Sequence, residues 1–443
     1  MVLGMCLRPS RPRGHGSRLR VRAVRNGVAA GLFVTVATGA GALRAAAAEA
    51  SPSASPAAPS ASPFSPPLGA DAALDVWSYN VWAVPYGVSP HVEARVAAIA
   101  DAIVARRPHL VALQELWRSS DAAAMAGRLE TAGYHHHHFG PGAGGPDDEK
   151  GSGLFIASRL PIETIGFFPF DAGRTGYIPW HVDWMAFKGV GAVRVTTERG
   201  PLWFATTHLQ ANYRTGDYAF VQLAQAVDVV RVLGGLGPEA PLLVTGDFNG
   251  PPASLSTRLI AEDLGLRAAR PGYGLDHILA RPGATHALEV VSTETLLAGE
   301  HDYGVGDPGI LSDHPCLTAR YRLEPCATPP CPRVSSPPPP PGESLTPRVA
   351  AVLAAERRRS ERWSRYGVVL SLAAAVGAVI AARPSPRRSP GRRRIRITLM
   401  ALLVVVASYL GYIGLHFAPT RRAEIDRFEL QGRAPIPLTP VGP

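Results

Sequence analysis

The sequence predicts an α/β fold: a two-sheet α/β sandwich with helices outside, followed by a C-terminal two-helix transmembrane hairpin. Three observations predict it. Short apolar runs with strand character alternate with helical segments between two Pro-rich linkers. Polar residues recur where those runs stop, as expected when function sits at strand ends. Two long stretches without charge come after the second linker.

Residues 1–49 read as an export signal or an N-terminal anchor. A basic stretch over residues 8–25 contains no acid, "GVAAGLFVTVATGAGAL" is small and apolar, and "RAAAAEA" offers small residues of the kind a signal peptidase accepts. On either reading, the central domain downstream is exported. Residues 50–69 are rich in Pro, Ser and Ala, cannot bury a core, and read as an extended linker.

Residues 70–324 form the central domain. "LDVWSYNVW" is strand-like, "HVEARVAAIADAIVARR" has apolar residues at helical spacing, and "HLVALQELW" reads as a buried strand. "SGLFIASRLPI" is a strand, and "VRVTTERGPLWFATTHL" reads as a hairpin. "YAFVQLAQAVDVVRVLGG" is a helix ending in glycines, and "PLLVTGDFN" is a strand again. No repeat of fixed period is present.

Residues 325–347 form the second Pro-rich linker, and residues 348–365 a basic juxtamembrane segment. Residues 366–382 and 397–417 read as transmembrane helices, the second with aromatic residues near its end. The loop between them, residues 383–396, has seven arginines and no acid, which makes it cytoplasmic by the positive-inside rule. The hairpin then places the central domain and the tail, residues 418–443, on the extracytoplasmic side of the membrane. The stretch "ERRRSERWSR" counts against this, with five arginines on the outer side partly offset by two glutamates.

Charge separates function classes. The chain of 443 residues carries a formal net charge of +10. Residues 70–325 hold 19 basic and 28 acidic residues, a net −9, so the basicity belongs to the ends. Nucleic-acid affinity rests on cationic contacts to phosphates, so an acidic domain makes a nucleic-acid partner unlikely. The cysteines are Cys6, Cys316, Cys326 and Cys331, without zinc-type spacing. Cys326 and Cys331 bracket a Pro-rich loop and either pair in an oxidising compartment or stay as thiols. The run His135–His136–His137–His138 does not suit a metal, because adjacent strand residues face opposite sides; it reads as a polar strand end.

Asn80, Glu115, His208, Asp247 with Asn249, Asp276, and Asp313 with His314 all fall where apolar strands stop. Each alone suits a turn or a cap, and Gly246-Asp247-Phe248-Asn249-Gly250 is an ordinary turn composition. Together they suit a metal-assisted hydrolytic site, because buried charge is costly unless paired or bound to metal.

The motifs "YNVW", "LQELW", "GSGLFIASRLPI", "THLQANY", "GDFNGPP", "LDHIL" and "LSDHP" resemble the endonuclease/exonuclease/phosphatase superfamily in type and order, over residues 74–321. "GSGL..ASR.PI", "DWMAFKGVG", "THLQANY" and the C-terminal hairpin resemble its neutral sphingomyelinase branch, although "QANY" departs slightly from the expected "H-A-E/Q-Y" form at Asn212. The resemblance implies a deoxyribonuclease-like sandwich and a Mg²⁺-dependent phosphodiesterase, with Mn²⁺ as an alternative ion.

It further implies Glu115, Asn80 and Asp313 at the metal, and Asn249 on a phosphate oxygen. Asp247 would orient or activate the water, and His314 would be the general base, oriented by Asp276. His208 would bond the phosphoryl oxygen or assist the leaving group. Asp183 and Lys188 would form an ion-pair switch near the site, and the glycines beside Asp247 would let the backbone approach the phosphate. The implied substrate is sphingomyelin or a related phospholipid in a bilayer, with the hairpin holding the enzyme at the membrane. The alternative is a surface or secreted nuclease, or another phosphoesterase, on the same fold.

Overall fold

Strand β1 (Leu74–Ala83) opens the domain in the computed structural model, which describes residues 73–85, 87–139, 151–173, 187–213, 218–270, 274–306, 308–328, 331, 345–383, 390–431 and 439–440. These residues all lie in one unit, Ala61–Pro443. Helix α1 (Val92–Arg106), β2 (Leu110–Leu116), α2 (Ser119–Thr131), β3 (His135–Phe139), β4 (Leu154–Ser158) and β5 (Ile162–Pro169) come next. Then come β6 (Gly189–Thr197), β7 (Gly200–His208), α3 (Ala219–Gly234), β8 (Leu242–Asp247) and α4 (Leu255–Leu264). The domain closes with β9 (Arg267–Ala268), β10 (Asp276–Arg281), β11 (His286–Leu296), β12 (Glu300–His301), β13 (Gly309–Ile310) and β14 (Cys316–Pro325).

Local chemistry explains the helices that matter here. In α1, Val96, Ile99, Ala100 and Ile103 repeat at helical spacing and are buried, while Glu93 and Arg106 complement the helix dipole at its two ends. Helix α4 starts on Ser254, whose side chain accepts from the Thr257 amide, and stops at Gly265 in a left-handed conformation.

Besides a small antiparallel pairing of β12 with β13, the described residues form two sheets, in the orders β11-β14-β1-β2-β4-β3 and β5-β6-β7-β8-β10-β9, with β15 (Thr439–Pro440) on the β5 edge of the second. One pair in each is parallel: β1 with β2, and β7 with β8. Parallel neighbours need a crossover, which α1 and α3 supply. The ends of all four parallel strands therefore meet at one rim. Strand register places His208 beside Asp247, and Asp247 beside Asp276 on antiparallel β10.

The core has three parts. Val76, Leu110 and Ile156 of the first sheet pack against Val193, Phe204 and Leu243 of the second. Helices α1 and α2 cover the outside of the first sheet, and α3 and α4 the outside of the second. Buried Gln114 of β2 donates across the sandwich to Thr206 of β7 (3.0 Å). The expected α/β sandwich is present. Helices α2 and α4 are additions to the elements read from sequence, and the four histidines lie on β3, as the polar strand end expected of them. Cys326 and Cys331 form a disulfide, which resolves the open choice between pairing and free thiols.

At the C-terminus, α5 (Leu345–Ala382) and α6 (Pro390–Tyr412) run into a π-helical turn (Ile413–Phe417) and α7 (Ala418–Gln431). Two helical stretches, Pro347–Ala382 and Arg393–Glu429, are long and apolar enough to cross a membrane by length and composition. Small residues let them approach: a Cβ on Gly367 would lie 2.8 Å from the Cα of Gly414, and Ser371 donates to the Ala407 carbonyl (2.7 Å). The tail is helical over Ala418–Gln431, where the sequence suggests no element. Its Ile425 and Phe428 pack on Phe220 and Val221 of α3, and buried Arg421 bonds Glu424 (2.6 Å) beside Glu356 (3.5 Å).

Phe204 is fully buried between the sheets. Phe204→Ala is expected to cost about 3–5 kcal/mol in urea unfolding; a loss below about 1 kcal/mol would mean that this inter-sheet packing carries little of the stability.

Candidate active site

Asp247 lies at the centre of the rim. Its side chain is 1% exposed. Oδ1 accepts from the amide of Asn249 (2.8 Å), an Asx turn. Oδ2 accepts from Nδ2 of Asn80 (3.1 Å) and Nδ2 of Asn249 (3.4 Å). Nε2 of His208 and Nε2 of His314 stand 3.5 Å and 3.7 Å from the same oxygen. Burial, and then the charge of Asp276, pushes the carboxyl up to about 7.

Glu115 and Asn80 come from the first sheet. Asn80 donates from Nδ2 to Oε1 of Glu115 (2.9 Å) as well as to Asp247, and its Oδ1 accepts from the Trp82 amide (3.0 Å). Asn80 thus bridges two carboxylates with its amide nitrogen. It sits at an irregularity inside β1, where the register shifts between Asn80 and Ala83, and not at the strand's end. Trp82, Glu115 and Asn249 all have positive φ, at 49°, 62° and 48°. Non-glycine residues rarely adopt that region, and such strain gathers at functional sites.

His208 ends β7. Its ring is buried, with Nε2 3.1 Å from Nζ of Lys188 and 4.0 Å from Oε1 of Glu115. Burial, with Lys188 and His314 adding, holds it well below the usual imidazole range, so it is neutral. Lys188 also donates to the Leu209 carbonyl (2.9 Å). Asp183, its expected switch partner, lies outside the described residues.

His314 precedes β14. Nδ1 bonds Oδ2 of Asp276 at 2.8 Å, which leaves Nε2 facing Asp247. Burial opposes the charged ring, but the Asp276 hydrogen bond and the charges of Asp276, Asp247 and Asp313 outweigh it and hold the imidazole at about 10. Asp313 is exposed beside it.

Among the described residues, two groups gather donors suited to a cation: Glu115, His208 and Asp247, and Asp247, Asp276 and His314, each with ligand atoms within 4.8 Å of one another. The donor set fits a hard divalent ion, because burial raises both Glu115 and Asp247 above the usual carboxylate range and a cation would offset that charge. Asp313 belongs to neither group. The rim therefore brings Asn80, Glu115, Lys188, His208, Asp247, Asn249, Asp276 and His314 together.

Packing also calls for the glycines beside Asp247. A Cβ on Gly246 (φ 139°) would lie 1.9 Å from the Thr207 carbonyl, and one on Gly250 would lie 2.5 Å from Oγ of Ser254. They admit β7 and the start of α4. Asn212, in the departing "QANY", accepts from the Tyr218 amide (3.0 Å) and donates to Gln222 (3.1 Å).

The Endonuclease/Exonuclease/phosphatase family model matches residues 77–314, which include every one of these side chains. The chain belongs to that family. Within it, the expected neutral sphingomyelinase branch has matched relatives. "Sphingomyelin phosphodiesterase 2" of Rattus norvegicus is 30% identical over 199 residues, 44% of this chain and 46% of that one. "Inositol phosphosphingolipids phospholipase C" of Saccharomyces cerevisiae is 26% identical over 215 residues, 43% of this chain and 44% of that one. The chain spans about half the length of the curated relatives it matches. Among solved structures, sphingomyelinase C from Streptomyces griseocarneus is 18% identical with a TM-score of 0.43, covering 56% of this chain and 99% of that one.

Sequence reasoning missed several residues of this family member's rim. Trp117 tilts over His208, with ring centroids 5.9 Å apart. Gln222 of α3 donates to the carbonyls of Gln210 (2.6 Å) and Asn249 (2.9 Å). Nothing in the local pattern marks these residues, since a glutamine in an amphipathic helix reads as solvent-facing.

Divalent-ion binding should release protons, because Asp247 and Glu115 must be ionised to bind. Mg²⁺ affinity by calorimetry is therefore expected to be tighter at pH 8 than at pH 5.5, across the value near 7 of Asp247. Equal affinity at both pH values would separate these carboxylates from the ion.

Proposed function

We propose that the chain is a membrane-anchored, metal-dependent phosphodiesterase that hydrolyses sphingomyelin or a related sphingolipid to a ceramide-like lipid and a phosphorylated head group. The observation that carries this reading is the line Asp276–His314–Asp247, with Glu115 and Asn80 alongside, at the rim where both sheets end. The names of the matched relatives support the substrate class.

The residues divide the work. Asn249 and His208 bind phosphoryl oxygens, and Trp117 limits the motion of the His208 ring. Asp247 orients the attacking water, and Nε2 of His314 takes its proton. Asp276 keeps the His314 ring in the tautomer that leaves Nε2 for that task. Glu115, Asn80 and Asp313 would hold the ion; Asn80 would turn its amide to present oxygen. Mg²⁺, or Mn²⁺ in its place, would supply charge neutralisation at the phosphodiester and the leaving alkoxide. With the carboxylates' charge taken up, the imidazole of His314 would fall from about 10 toward the range useful for proton transfer. Lys188, with Asp183 as its expected partner, would serve as a switch near the substrate.

The two long apolar helices support an anchor that keeps the enzyme beside its lipid. The arginine-rich loop between them favours the cytoplasm, which supports a catalytic domain on the extracytoplasmic side.

Asp247→Ala and His314→Ala are each expected to lower kcat by at least about 10³-fold with circular dichroism unchanged. Wild-type turnover in both would remove the assigned site. A chain ending at residue 325 and lacking residues 1–49 should stay in the supernatant and keep its activity. If that shortened chain sediments with membranes, the hairpin is not the anchor.

A further inference from the structure

Arg95 is fully buried, and it is among the largest side chains so enclosed in the chain. It occupies the apolar face of α1, one turn before Ile99, yet among the described residues it forms no ion pair. Its partners are main-chain carbonyls. Nε donates to Pro90 (2.8 Å), Nη1 to Val81 (3.0 Å) and Leu311 (2.6 Å), and Nη2 to Trp82 (2.9 Å). The guanidinium also lies over the Trp82 ring, 5.1 Å from its centroid.

Three of these carbonyls belong to two separate segments. Val81 and Trp82 come directly after Asn80, where β1 loses its register and Trp82 takes a positive φ. Leu311 opens the loop that carries Asp313 and His314. Irregular buried backbone needs donors that a sheet ladder no longer provides. A planar guanidinium can serve several carbonyls at once, which an ammonium cannot do in fixed directions. A second link lies beside it. Oγ of Ser312 donates to the Asn80 carbonyl (2.6 Å) and accepts from the His314 amide (3.1 Å).

We propose that Arg95 and Ser312 are positioning residues. Together they stitch the β1 irregularity bearing Asn80 to the loop bearing His314, and so set the spacing between the ion side and the base side of the site. Helix α1 gives the stitch a fixed reference, because Ile99 and Ile103 are wholly buried against the first sheet. Neither residue touches the reacting atoms. Both act on backbone, so their effect on rate rests on the phosphodiesterase reading above, while their effect on local order does not.

The test uses the full chain with Arg95→Lys and Ser312→Ala. Hydrogen–deuterium exchange is measured in peptides spanning residues 78–90 and 309–316, with residues 200–208 as an internal reference. Exchange should rise in the first two together and stay unchanged in the reference. On sphingomyelin vesicles with Mg²⁺, kcat should fall about 10–100-fold while KM stays within about twofold, because a misplaced base slows chemistry without removing lipid contacts.

Unchanged exchange in both peptides, or a rise confined to the one nearer the substitution, would overturn the stitch. Wild-type kcat in both variants would overturn its role in positioning. If Arg95→Lys does not fold, Ser312→Ala decides both questions, since it removes one hydroxyl and no volume that the core needs. A wild-type chain that releases no head group would count against the proposed function alone, and the exchange result would still decide the stitch.

Discussion

A carboxylate buried at the meeting point of two sheets governs this architecture. Asp247 is 1% exposed, and an ionised carboxyl in that position is sustained only by donors and opposite charge. One sheet supplies Asn80, the other supplies His208, and the loop before β14 supplies His314. Those contributions converge only because each sheet has its parallel pair beside the other's, with the ends at the same rim. The packing of the sandwich and the chemistry of the rim are therefore one requirement: a slip of one residue in β8 would turn Asp247 to the opposite face.

Helix α3 links this rim to the C-terminal helices. Its Gln222 and Gln225 hold the backbone of Gln210 and Asn249. Its Phe220 and Val221 pack on Ile425 and Phe428 of α7. Arg421 lies over the Phe220 ring and is held between Glu356 and Glu424. Segments that composition alone describes as basic and membrane-adjacent thus pair their charge internally and become part of the folded body. This accounts for some of the arginines that sit awkwardly with the proposed topology: Arg357 bonds Asp426 (3.0 Å) and Glu429 (2.9 Å).

Much of the sandwich is legible because burial imposes period on sequence. The helix at Val96, Ile99 and Ile103, the β6–β7 hairpin, and the strands ending in His208 and Asp247 all arise from apolar spacing and polar stops. The hidden parts depend on partners that leave no complementary mark. Arg95 is satisfied by carbonyls, which every residue possesses, so nothing distinguishes it from a solvent-facing arginine. Helix α7 has almost no apolar face, and its place is set by a few contacts such as Phe428 on Phe220. The glycines at 246 and 250 suggest, by sequence, room for a ligand. Their neighbours, Thr207 and Ser254, are brought there only by tertiary packing.

The most direct measurement places the purified domain of residues 70–325, with Mg²⁺, in parallel reactions with sphingomyelin vesicles and plasmid DNA. The account predicts phosphocholine release and intact plasmid, because the domain's negative charge repels a polyanion while the rim accepts one phosphodiester at a time. Nicked DNA beside untouched sphingomyelin would contradict it, and would make this rim the site of a nuclease.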